Sequence, residues 1–102
     1  MIRFIEVINE TTIDARHERT SVPSFRLGEV WLNEKHISHM RAAPEYSRLL
    51  REGHLSRDLD TGHDFTSITI TSGHEATTHI IVGEINSVAR RLGYDTRSLL
   101  KG

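Results

Sequence analysis

The strand-like segments of this chain carry large apolar side chains at both alternating positions. In residues 2–8, Ile2, Phe4 and Ile8 share one parity, while Ile5 and Val7 share the other. Successive side chains of a strand point to opposite faces, so a sheet built from such segments has to be covered on both sides. By the same parity, Phe4, Trp31, Phe65 and Ile81 cannot all lie on one face beside their neighbours. One helix covers one face. The other face needs either a second helix or a second subunit, because a large bare apolar patch behaves as an interface. Both remain open at this point, and a homo-oligomer is the expectation.

The clearest strand is 65–71, with Ile68 and Ile70 on one face and Phe65, Ser67, Thr69 and Thr71 on the other. Residues 72–76 read as a loose hairpin turn and 77–82 as the return strand. Ile85, Val88, Ala89 and Leu92 then recur at i, i+3, i+4 and i+7, which predicts a helix closed by Gly93. Arg90 and Arg91 complement the negative end of its dipole. Further strands are predicted over 2–8, 25–32 and 36–40, with a turn at Asn33–Lys35 where Asn33 is able to adopt positive φ. Residues 9–24 are polar and contain Pro23, as in a long loop or an exposed hairpin arm. A second helix is predicted from Pro44, well suited to a first helical position, to a stop at Gly53. Its apolar stripe is Tyr46, Leu49 and Leu50. Residues 54–64 read as a loop. The expected architecture is a single α+β domain over 1–102. It is a curved antiparallel sheet of four to five strands, with a helix-containing insertion at 41–64 and a second helix at the C-terminal end.

Composition narrows the function. Hydrophobic residues make up 36% and charged residues 26% of the 102, with a formal net charge of −1, which is globular rather than disordered. The absence of cysteine excludes a disulfide scaffold, a thiolate zinc site and a cysteine nucleophile. The near-neutral charge argues against a nucleic-acid footprint. No apolar run approaches the roughly 18 residues of a membrane span, and the opening Met1–Ile8, which carries Glu6, does not read as a signal peptide. The expectation is a cytoplasmic protein with no membrane partner. Phosphate-loop, dinucleotide, nucleophile-elbow and His-Glu-x-x-His patterns are all absent, so no catalytic residue and no cofactor is expected. Of the seven histidines, His36 and His39 form the best local pair. On a strand they point to opposite faces, so no metal site is predicted.

Arginine outnumbers lysine by 11 to 2, and Arg41, Arg48, Arg51 and Arg57 gather in or beside the central insertion. Arg48 and Arg51 are neighbours on the predicted helix, and guanidinium groups bind phosphate and carboxylate bidentately. With Tyr46 on the adjacent stripe and Trp31 as the largest π surface, these four residues form the candidate ligand site. It suits a small anionic, nucleotide-like molecule. The alternative is that Glu45 and Glu52 simply neutralise the arginines on a wet surface. The tail carries Leu99 and Leu100, which could dock on the core or on a neighbour.

The stretch Val30-Trp-Leu-Asn-Glu-Lys-His-Ile-Ser-His-Met40 resembles the strand-turn-strand of small flagellar-operon proteins of the FlbD type. The segment from Thr66 to Leu92 continues that outline with a Thr-rich strand, a Gly turn, a return strand and an amphipathic helix. The same outline recurs in LytTR DNA-binding domains and in short phage-encoded proteins. The Arg-x-His-Arg-Ser feature of LytTR domains is missing here. The resemblance implies a non-enzymatic binding or regulatory role. One form is a phage-type accessory factor that binds a host protein or sequesters a signalling nucleotide; the alternative is a nucleic-acid-binding transcriptional or flagellar regulator.

Overall fold

The computed structural model describes residues 1–9, 12–13, 21–22, 25–53, 55, 59 and 62–94. Its elements are β1 (Ile2–Asn9), β2 (Thr12–Ile13), β3 (Ser21–Val22), β4 (Phe25–Leu32), a 3₁₀ turn (Glu34–His36), β5 (Ile37–Ala42), α1 (Pro44–Arg51), β6 (Phe65–Ser72), β7 (Glu75–Val82) and α2 (Ile85–Arg91). The main sheet has five antiparallel strands in the order β4-β1-β7-β6-β5 and is not closed, while β2 and β3 pair with each other. The segment 9–24 is therefore a hairpin arm where it is described. Arg57, Leu99 and Leu100 lie outside the described residues.

The order puts β4 and β5 at opposite edges, yet only Asn33 and the 3₁₀ turn connect them. In a flat sheet the outer strands would stand four spacings, about 19 Å, apart. Three 3₁₀ residues advance only about 2 Å each, and the whole link reaches roughly 13 Å. The sheet must therefore curl until its edges approach. Packing agrees: Val30 and Leu32 of β4 share one apolar cluster with Ile37 and Met40 of β5. That concave cluster is built on Phe4, Ile68 and Ile81, and Val88 of α2 and Leu92 at its C-terminal cap close it. Asn33 keeps φ at −85° and caps the turn by accepting the Lys35 N–H at 3.0 Å, so no positive φ is needed there.

The convex face carries the opposite parity. Val7, Phe65, Ile80 and Val82 meet Ala43, Tyr46, Leu49 and Leu50 from α1 and its approach, with Leu55 and Leu59 beyond. The inserted helix thus covers the second face within one chain. β5 runs to Ala42, so the connection holding α1 begins at residue 43 rather than 41. The β6–β7 connection is tighter than a loose loop. Ser72 pairs with Glu75, leaving Gly73 at φ 61° and His74 as a two-residue turn.

α2 is fixed at both ends. Glu84 caps it by accepting the N–H groups of Asn86 and Ser87 at 3.1 and 3.2 Å. These N–H donors, that of Asn86 foremost, hold the Glu84 carboxyl below its ordinary range. At the other end, Arg91 donates to the Arg3 carbonyl and lies 4.3 Å over the Phe4 ring. Gly83, at φ 148°, leads into the helix where a Cβ would come within 3.0 Å of Val88.

Leu92 is buried in the concave cluster and Arg90 is exposed. Urea unfolding should show Leu92→Ala losing about 2–4 kcal/mol and Arg90→Ala about 0.5 kcal/mol or less. Because the folded pKa of Glu84 is depressed from 4.5, its contribution is complete well above that pH and is lost as pH falls through the folded value. The stability gap between wild type and Glu84→Gln should therefore shrink on acidification; a gap that widens below pH 4.5 would contradict the cap.

Candidate functional site

The four residues proposed from sequence do not converge. Tyr46 packs edge-on against Phe25, with ring centroids 6.3 Å apart and planes at 83°, and lies 6.1 Å from Phe65 at 47°. Its ring is part of the contact between α1 and the sheet. Arg48 and Arg51 are both exposed on α1, one turn apart as expected. Trp31 stands six residues along β4 from Phe25, about 20 Å away at strand rise.

Arg51 borders a cleft of about 370 Å³ between α1, the start of β6 and the entry to α2. Ala43 donates its N–H to the Phe65 carbonyl at 2.9 Å, and Gly83 donates to the Asp64 carbonyl at 2.8 Å, which fixes the cleft walls. Those walls also carry Asp64, whose carboxylate accepts the Ser47 hydroxyl at 3.4 Å, and Glu84. An anion entering here meets two carboxylates beside one guanidinium. The cleft is electrostatically mixed and is not a phosphate cradle.

Trp31 marks a different site. It is 58% exposed, against a core whose large side chains are nearly all covered. It borders a second cleft of about 370 Å³ floored by Val30, Leu32 and Ile70 and edged by Asn33, His36, Ser72 and His79. The curl of the sheet creates this cleft, because Ile70 belongs to β6 and Val30 to the far edge strand. The floor side chains lie on the concave face, whereas Trp31 has the parity of Phe25 and Leu27, so Trp31 borders the cleft at the edge strand while its indole stands on the convex side. The Nδ1 of His79 lies 2.8 Å from the Glu6 carboxylate, which fixes the orientation of the ring. Ser72 sits four residues along β6 from Ile68, the partner of His79, or about 13 Å away. No serine–histidine dyad forms there.

His36 lies in the 3₁₀ turn, His39 in β5 and His74 in the β6–β7 turn. Among the described residues, no three His, Cys, Asp or Glu side chains come together as a metal-binding group. No helix of the described residues is long and apolar enough to cross a membrane. A third cleft of about 500 Å³ lies over Ile5, Leu27, Leu59 and Val82, with Arg91 at its edge already engaged on Arg3 and Phe4.

Sequence reasoning placed Trp31 as a stacking surface for a nucleotide; it missed Val30, Leu32 and Ile70 as the floor. The missed signal lies in the pairing of Trp31 with strand neighbours of the other parity. If Tyr46 is a packing residue, Tyr46→Ala should cost about 3 kcal/mol, while Arg48→Ala on the same helix should change stability by about 0.5 kcal/mol or less, both read by thermal and urea unfolding. Against models of protein families, curated proteins and solved structures the chain finds no match, so the Trp31 cleft stands on its own geometry.

Proposed function

We propose that this protein is a small non-enzymatic binding module whose contact surface is centred on Trp31 of the edge strand β4 and whose partner is another polypeptide. The observation that carries this reading is the exposure of its single tryptophan, over half open to solvent on the edge strand β4. Tryptophan is the residue type most enriched where protein contacts carry their binding energy, and such anchors act by filling apolar pockets. The FlbD-type outline of residues 30–40 points the same way, since no catalytic residues go with it. Sequestration of a small anionic ligand by Arg48 and Arg51 is the weaker reading, because Asp64 and Glu84 share the Arg51 cleft.

A photoreactive phenylalanine analogue at position 31 tests the proposal in cells expressing the protein. It should crosslink to a polypeptide, whereas the same analogue at position 48 should not. Crosslinking from position 48 alone, or calorimetric binding of a nucleotide that Arg48→Ala/Arg51→Ala abolishes with no crosslink from position 31, would overturn it.

A further inference from the structure

The two edges of the main sheet are not equivalent. β5 is guarded: its register with β6 breaks between Ile37 and His39, Ser38 turns its hydroxyl to the Thr69 carbonyl at 3.1 Å, and the exposed His39 and Arg41 follow. Bulges and exposed charges are the usual means of discouraging further strand pairing. β4 carries two exposed charges, Arg26 and Glu29, but no bulge. Its register with β1 runs unbroken from Phe25 to Leu32, it contains no proline, and Trp31 projects from it into solvent. Among the described residues, no strand pairs with its outer edge. An edge of this length and composition is a template for another strand.

We infer that β4 pairs edge to edge with β4 of a second copy of this chain, in antiparallel register about a two-fold axis at Gly28. The inference rests on the reading of Trp31 as a contact residue, and it names that contact's partner. When two identical antiparallel strands meet about a two-fold axis normal to the sheet, directly opposed side chains lie on the same face. The numbers of opposed residues therefore sum to an even constant. Over Phe25–Leu32, two such registers give the longest overlap, one centred on Gly28 and one on Glu29. The second sets two Glu29 carboxylates directly opposite each other, which is destabilising. The first opposes Glu29 to the partner's Leu27, Arg26 to the partner's Val30, and Trp31 to the partner's Phe25. The last pair occurs twice, and aromatic cross-strand pairs are among the favourable ones. Each indole then extends the partner's aromatic row, because Phe25 already packs on Tyr46 and Tyr46 on Phe65. Gly28 places no side chain at the axis, and a Cβ there would stand 2.7 Å from the Ile8 Cδ1 methyl, which would have to shift.

The test uses the purified full-length chain. Sedimentation velocity across micromolar concentrations should show reversible dimerisation. Trp31→Ala, whose side chain is exposed and whose fold is checked by circular dichroism, should weaken the dimer by about 30-fold or more. The chain has no cysteine, so the register can be read directly. Leu27→Cys and Glu29→Cys chains, mixed under mild oxidation, should form a disulfide-linked heterodimer in preference to either homodimer. A monomer at every concentration, a dimer indifferent to Trp31→Ala, or homodimer crosslinks that exceed the heterodimer would each overturn the inference. A monomer whose position 31 still crosslinks a different polypeptide in cells would remove only this inference and leave the binding module standing.

Discussion

A short link between distant edges governs this fold. Asn33 and one 3₁₀ turn carry the chain from the first edge strand to the last, and a flat five-stranded sheet cannot accommodate that step. Curling follows, and the rest of the architecture follows from the curl. The concave face closes over Phe4, Ile68 and Ile81 and needs only Val88 of a short helix and Leu92 at its cap to finish it. The convex face spreads its side chains apart, so it needs a second cover, which α1 provides through Ala43, Tyr46 and Leu50. The Trp31 cleft lies where the approaching edges fail to close.

Buried polar groups show how the sheet is held without apolar contact alone. Thr66 is fully covered and donates its hydroxyl to the Gly83 carbonyl at 2.9 Å; Thr69 and Thr78 share a hydrogen bond at 3.1 Å across β6 and β7. A threonine in a strand supplies a β-branched body for packing and a hydroxyl for pairing. The Thr-rich β6–β7 hairpin uses both properties. It can therefore be lean in large apolar residues and still form the centre of the sheet.

Much of the fold was legible in the sequence because parity and helical spacing are local. The two parities of Phe4 and Val7 announced two covered faces, and the stripes at Tyr46–Leu50 and Val88–Leu92 announced what covers them. The candidate site was less legible for the same reason. Tyr46 sits on the stripe that buries α1, so its spacing marked it for packing, and pairing it with Arg48 and Arg51 set chemistry above position. Trp31 was visible as a residue, but its cleft depends on Ile70, which is distant in sequence and close only after the sheet curls. The Glu84 cap escaped because glutamate is not among the preferred cap residues. The Glu6–His79 pair escaped because 73 positions separate its members.

The joint between β1 and β7 rests on two backbone pairs, Glu6 with Ile81 and Val7 with Ile80, reinforced by the Glu6–His79 contact. The first half of the sheet, β1 with β4, and the second, β5 with β6 and β7, are each built from neighbours in sequence. Among the described residues this is the strand pairing that unites them, and it connects β1 to β7. Local hairpins form quickly, while a contact that closes a long loop is slow. Assembly is thus set to proceed as two fast halves and one slow closure. During synthesis this pairing can close only once residues 80 and 81 have left the ribosome.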